Sequence, residues 1–225
     1  MLYNILGQKQ QIPFNSNNLK ETKSNRVYNF LKSAKVNSLR EINDSTYTGA
    51  TLEELPIDTF VKLKEMGIET VIDLRLNSKT SYIEKCRSSN INYFKFPLDF
   101  IFNPGKSDIF IGNNRSLVNN SFVQNLKKFL ELTKKGNLYM GCQYGLDRTN
   151  FAIIMNYLFN YDSNDVPPQI LSSDIGKSKT LLNKDLDLIR KILKKMTMEQ
   201  KHFLNLPQNY NEIIIKRIRE LVMHV

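Results

Sequence analysis

The sequence has no tryptophan, only two cysteines, Cys86 and Cys142, and only two histidines, His202 and His224. Two cysteines are too few for the disulfide framework that small secreted folds rely on, and with two histidines they assemble no zinc spacing. A reducing compartment fits best, so the expected location is the cytoplasm. No apolar run approaches the ~20 residues of a membrane-spanning helix. The opening MLYNILGQKQ lacks both the basic start and the hydrophobic stretch of a cleaved signal, so a soluble protein is expected. Acidic residues are in short supply as well, with 22 Asp and Glu against 32 Lys and Arg and a formal net charge of +10. That excess would steer an anionic partner toward the chain, whether nucleic acid, an anionic membrane face or a phosphorylated substrate. Charge alone does not choose among them, and a basic surface kept for solubility explains it equally well.

What the chain does have is aromatic and aliphatic volume. Of its 225 residues 41% are hydrophobic, with thirteen phenylalanines and ten tyrosines, which suffices for one well-buried core and is short for two. Residues 1–22 are polar, Asn- and Gln-rich and without period, and read as an N-terminal arm. Residues 23–225 read as one domain that includes a helical C-terminal extension from about residue 181.

Within that domain the periodicity alternates. Helical spacing from Arg26 to Val36 is followed by a short strand at Ser45 to Ala50, a helix at Ile57 to Met66 and a β-branched run at Ile68 to Leu74 that reads as a buried strand. A helix at Lys79 to Asn90 and a strand at Ile91 to Pro97 come next. The stretch from Phe100 to Asn120, with Pro104, Gly105 and Gly112, reads as a long loop of the kind that often carries function. A helix at Ser121 to Lys135, a strand at Asn137 to Gly141, a loop at Cys142 to Arg148 and a helix through Phe151, Ile154, Leu158 and Phe159 complete the pattern. Such alternation predicts an α/β sheet with helices on both faces. In the tail, Leu182, Ile189, Leu193 and Met196 form one stripe, with Arg190, Lys191, Lys194 and Lys195 off it. This is the pattern of a core-packing helix with a solvated basic face, and a lipid-contacting surface helix is the alternative.

One segment carries chemistry. In Cys142-Gln143-Tyr144-Gly145-Leu146-Asp147-Arg148-Thr149, a cysteine and an arginine are separated by five residues and lie between a strand and a helix. Backbone N–H groups of such a loop point into a concavity, and the helix N-terminus adds its positive end, so a tetrahedral dianion can be held by main chain alone. Arg148, at the helix start, can grip two phosphate oxygens with its planar fork. The same field favours thiolate over thiol at Cys142 and makes it a nucleophile without a histidine base. Gly145 allows the sharp turn, and Thr149 is placed to donate its hydroxyl to the sulfur. The bland reading is a buried structural cysteine beside a helix-start arginine, but a cation there without an anion is electrostatically unfavourable.

The pattern Cys142-x-x-Gly145-x-x-Arg148-Thr149 resembles the signature loop of the cysteine-dependent protein-tyrosine/dual-specificity phosphatase superfamily. The likeness extends over roughly residues 45–160, through Tyr47-Thr48-Gly49-Ala50, Val71-Ile72-Asp73-Leu74-Arg75 and Phe96-Pro97-Leu98-Asp99. It implies a central sheet flanked by helices and phosphomonoester hydrolysis through a phosphocysteine, with Gln143, Tyr144, Gly145, Leu146, Asp147 and Thr149 around the substrate. It also implies that neither metal nor cofactor is required. The string Leu146-Asp147-Arg148-Thr149-Asn150 is similar to the loops of Sac-type and myotubularin phosphoinositide phosphatases. One departure is Gly141, where the superfamily usually has a histidine that braces the loop.

An acid must protonate the departing oxygen. The resemblance points to an aspartate on the loop after the second strand, making Asp99 the first choice, with Asp147 and Asp108 as alternatives; a turn or capping role is the plain reading of Asp99. Asp73 and Arg75 are expected to be structural, with a brace on the phosphate loop as the other option, and Cys86 is expected to be a core thiol rather than a resolving one.

The expected partners are a phosphoinositide or a phosphorylated protein, the former slightly favoured by the basic tail, with Lys191, Lys194 and Lys195 available to an anionic membrane surface. Nucleic acid is disfavoured, and the sequence does not address oligomeric state. A phosphate-binding module without turnover is the alternative function, and a rhodanese-like sulfur transferase a more distant third.

Overall fold

The structure, a computed structural model, describes residues 23–98, 118, 120–160, 179–207 and 209–223. The arm at 1–22 and both Asp99 and Asp108 lie outside the described residues. The elements are α1 (Lys23–Ser33), β1 (Arg40–Asn43), β2 (Thr46–Ala50), α2 (Ile57–Glu65), β3 (Thr70–Asp73), α3 (Thr80–Ser88), β4 (Asn92–Lys95), α4 (Asn120–Lys135), β5 (Leu138–Cys142), α5 (Asp147–Asn160), α6 (Lys179–Lys195), α7 (Met198–Phe203) and α8 (Tyr210–Met223).

Five strands form one sheet in the order β1-β2-β5-β3-β4. β2, β5, β3 and β4 run parallel, and β1 closes one edge by pairing antiparallel with β2. β5 is therefore central, and whatever follows its C-terminal end sits at the middle of the sheet's upper edge. That is where ligand sites form in open parallel sheets, because the strand ends and helix starts converge there.

Parallel strands covered on both faces should be apolar on both sides, and alternate residues of these strands do enter two different cores. Ile72, Leu138 and Met140 face one layer, with Phe122, Phe129, Phe151 and Leu158. Val71 and Tyr139 face the other, with Leu31 of α1, Phe60 and Leu63 of α2, and Tyr82 and Cys86 of α3. α5 is buried at every position from Phe151 to Leu158, which explains why its sequence is hydrophobic all round rather than striped.

The C-terminal helices extend the first layer. Leu186, Ile189, Ile192, Leu193 and Met196 join its core, as do Leu204, Tyr210 and Ile214, while Arg190, Lys191 and Lys194 remain exposed. The stripe at Ile189, Leu193 and Met196 is thus a packing face. A capping box at Thr197 and Gln200 starts α7, and the Gln200 amide reaches back to the Val118 carbonyl at 2.8 Å and to Asn120 Oδ1 at 2.7 Å. The extension is pinned in this way to the start of α4. Among the described residues no helix is long and apolar enough to cross a membrane.

β1 is an element that sequence period does not predict. Its four residues, Arg-Glu-Ile-Asn, offer a single apolar side chain, and the strand exists because β2 presents an edge for it to pair with. This matters, because β1 carries a residue that touches the candidate site.

Candidate active site

β5 ends at Cys142, which is 3% exposed, and α5 begins at Asp147, so the intervening loop turns the chain from the centre of the sheet into a helix. Thr149, fully buried in the first turn of α5, donates its hydroxyl to Cys142 Sγ at 3.2 Å. Arg148 stands half-buried in that same turn, and Gln143, Tyr144 and Asp147 are exposed. Tyr144 is 71% exposed, leaving its ring free to meet whatever approaches the loop.

The loop's turn depends on Gly145. Its φ is +72°, and a Cβ at this position would come within 2.5 Å of the Ala50 backbone nitrogen, so both the conformation and the contact with β2 demand glycine. Gly141 is closely approached as well. A Cβ there would meet the Gly49 and Ala50 carbonyl oxygens at 3.0 and 3.1 Å and the Tyr139 ring at 3.1 Å, so a side chain in place of Gly141 would press on β2. Tyr139 uses its buried hydroxyl to donate to the Ala50 carbonyl. Burial pushes that phenol well above its usual range, the neighbouring Cys142 sulfur pushes it further, and Arg40 partly offsets the rise.

Two buried arginines approach the loop from opposite faces of the sheet. Arg75, 4% exposed, follows β3 and donates from Nε and Nη2 to the two oxygens of Asp73 at 2.9 and 2.8 Å, and from Nη1 to Glu53 Oε2 at 2.6 Å. Its Nη1 also reaches Gln143 Oε1 in the loop at 3.4 Å. Asp73 accepts further from Ser78 at 2.7 Å and Tyr93 at 3.0 Å. Burial alone would pull the Arg75 guanidinium down, but its hydrogen bonds to Asp73 and Glu53 prevail and hold it above its ordinary value. Both expectations for Arg75 therefore meet in one side chain, since it is committed to a structural cluster and also touches the loop. Removing one partner from such a group leaves buried charge uncompensated. Asp73→Asn is accordingly expected to lower stability by about 3–5 kcal/mol, read as a lowered urea midpoint.

Arg40 approaches from the other side. It lies on β1 in register with Thr48, is 8% exposed, and donates from Nη2 to the Gly145 carbonyl and from Nη1 to Asn150 Oδ1, both at 2.6 Å. The sequence reading passed over Arg40 and Glu53. Nothing local marks Arg40 among 32 lysines and arginines, and only the pairing of β1 places it behind the loop.

Cys86 is fully buried on α3, and burial, helped by Asp73, pushes its thiol up to about 12. It is a core thiol, buried in the layer opposite the one Cys142 joins.

No protein-family model matches the sequence, and no curated protein does. Among solved structures, similar ones include a DUF442 phosphatase candidate from Shewanella putrefaciens CN-32, at 12% identity and a TM-score of 0.48, covering 75% of this chain and 99% of that one. The core catalytic domain of the PP-IP phosphatase Siw14 from S. cerevisiae is similar at 13% identity and a TM-score of 0.37, over 79% of this chain and 91% of that one. TpbA from P. aeruginosa is similar at 14% identity and a TM-score of 0.41, over 81% and 91%. The first is described as a phosphatase candidate and the second as a phosphatase, and what the present loop can do follows from its own geometry.

Proposed function

We propose that the chain is a cysteine-dependent phosphomonoester hydrolase acting on a phosphoinositide or a phosphorylated protein. The observation that carries this reading is the hydrogen bond from Thr149 Oγ1 to Cys142 Sγ, made across a loop that joins the central strand to a helix start bearing Arg148. A buried structural cysteine has no need of a hydroxyl donor aimed at its sulfur from a helix N-terminus. A thiolate that must attack phosphorus and then leave it does.

In the first step the Cys142 thiolate attacks the phosphorus, an S–P bond forms and the ester P–O bond breaks, and the departing oxygen takes a proton from a carboxylic acid. In the second, water attacks the phosphocysteine and gives its proton to the same carboxylate. The S–P bond then breaks, returning the thiolate to the Thr149 hydroxyl and releasing inorganic phosphate. Arg148 and the loop amides stabilise the charge on the three equatorial oxygens throughout. For the substrate, the basic composition and the Leu146-to-Asn150 string support an inositol lipid, while the exposed Tyr144 ring and the exposed Asp147 support a phosphorylated side chain. Hydrolysis across a panel of phosphopeptides and phosphoinositides separates the two, with Cys142→Ser run alongside. Salt-sensitive preference for anionic vesicles would favour the lipid and a peripheral membrane location.

The alternative function, phosphate binding without turnover, draws on Gly141, which offers no side chain to steady the loop. Failure to hydrolyse a chromogenic aryl phosphate, together with retained tungstate binding, would establish it.

Asp99 is proposed as the acid, with Asp147, exposed at the start of α5, as the alternative within the described residues. Asp99→Asn is expected to cut kcat by about 10²–10⁴ on esters with poor leaving groups and far less on an activated aryl phosphate. Should Asp147→Asn show that leaving-group dependence and Asp99→Asn not, the acid lies in the loop.

A further inference from the structure

We propose that Arg40 is a positioning residue that holds the Cys142 loop in its anion-receiving shape by clamping the Gly145 carbonyl and the Asn150 side chain together. The inference rests on the phosphatase reading of the loop.

The geometry behind it begins with β1. Arg40 and Ile42 share one face of that strand, the face on which Ile42 joins the core containing α5. The Arg40 side chain is thereby directed to the loop and the first turn of α5. There it makes two bonds of 2.6 Å with the two ends of its fork, one to loop main chain and one to the helix. A carbonyl held outward at Gly145, where the backbone is already left-handed at φ +72°, leaves the adjoining amides facing the concavity. This is how a nest of N–H groups is made to point one way. Asn150 lies directly after Thr149, so the second bond fixes the turn from which the hydroxyl reaches Cys142 Sγ.

Gly141 does not share this work, having no side chain, and one added there would press on β2. Among the described contacts Arg75 reaches the loop at Gln143 Oε1, 3.4 Å away, and its shorter bonds go to Asp73 and Glu53. Among the described residues the brace on the loop backbone is therefore concentrated in Arg40, and it uses a planar fork, whose two nitrogens Nη1 and Nη2 each meet one acceptor at a spacing that a single ammonium nitrogen does not reproduce.

The test uses the full chain carrying Arg40→Met, Arg40→Lys or Asn150→Ala. Each variant is measured for kcat and KM on p-nitrophenyl phosphate, for tungstate affinity, and for the rates at which Cys142 is alkylated by iodoacetate and by neutral iodoacetamide. The iodoacetate-to-iodoacetamide ratio reports the anion cradle itself, and buried Cys86 serves as the unreactive reference within each sample. Arg40→Met is expected to lower kcat by about 10²-fold, as small misplacements of reacting groups do. It should also weaken tungstate and depress the alkylation ratio. Arg40→Lys should fail to restore any of these, and Asn150→Ala, which removes one arm of the clamp, should show a smaller loss in the same direction.

A merely structural role would lower the melting temperature and leave tungstate affinity and the alkylation ratio unchanged. That result, or full rescue by lysine, overturns the proposal. If Arg40→Met does not fold, Asn150→Ala decides, since unchanged anion affinity and ratio in a folded Asn150→Ala protein would also overturn it. Tungstate binding and alkylation need no turnover. A wild-type protein that hydrolyses nothing on the substrate panel thus refutes the phosphatase reading, while the Arg40 variants still judge the clamp.

Discussion

Replacing Cys142 with serine is expected to remove turnover, by a factor on the order of 10⁴–10⁶, while leaving tungstate or phosphate bound with little change in affinity. The sulfur is the only group at the end of β5 that can form a bond to phosphorus and then release it. A serine hydroxyl is not ionised at neutral pH and is a far weaker nucleophile than a thiolate. The proposed cradle, by contrast, would consist of main-chain N–H groups, the start of α5 and Arg148, none of which depends on the sulfur. The substitution should therefore separate binding from chemistry. Burst-free kinetics with a bound, unhydrolysed phosphoester is the expected result. Retained turnover would place the nucleophile elsewhere and overturn the mechanism.

Arg148→Lys is expected to lower kcat by about 10³–10⁵, the range seen where an arginine stabilises a transferring phosphoryl group. The transition state spreads charge over three oxygens in a plane, and a guanidinium can donate to two of them at once along parallel bonds. An ammonium offers a point charge that is more strongly hydrated and lacks the parallel pair of donors. KM should change less than kcat, because the loop amides continue to hold the ground-state dianion. A variant whose loss fell wholly in KM would make Arg148 a uniform binding residue rather than a stabiliser of the transition state. Arg148 and Arg40 thus differ in a measurable way, since the first is proposed to hold the phosphoryl group itself and the second bonds the loop carbonyl and Asn150.

How much of this was legible beforehand can be judged residue by residue. The strand at 138–142 and the helix after 147 were readable because a central parallel strand and a helix buried all round are both strongly hydrophobic, and the cysteine-to-arginine spacing between them has few chemical uses. The stripe at Ile189, Leu193 and Met196 was readable as a packing face for the same reason of period. β1 was not, because an edge strand with one apolar residue draws its order from its neighbour rather than from its own composition.

The same contrast runs through the site. Local sequence determined the groups proposed to react, because Cys142, Arg148 and Thr149 lie on one contiguous stretch that joins strand to helix, and glycine at 145 suits the positive φ of that turn. Only the tertiary structure decided what stands behind them. Arg40 comes from 105 residues before the carbonyl it holds, and Glu53 from 22 residues before Arg75, so neither contact has any local signature. The antiparallel pairing of β1 with β2 and the placement of β5 at the sheet's centre bring them together. Sequence period can specify which face of an element is buried, but it cannot specify which buried cation will meet which carbonyl, because that depends on strand order and register.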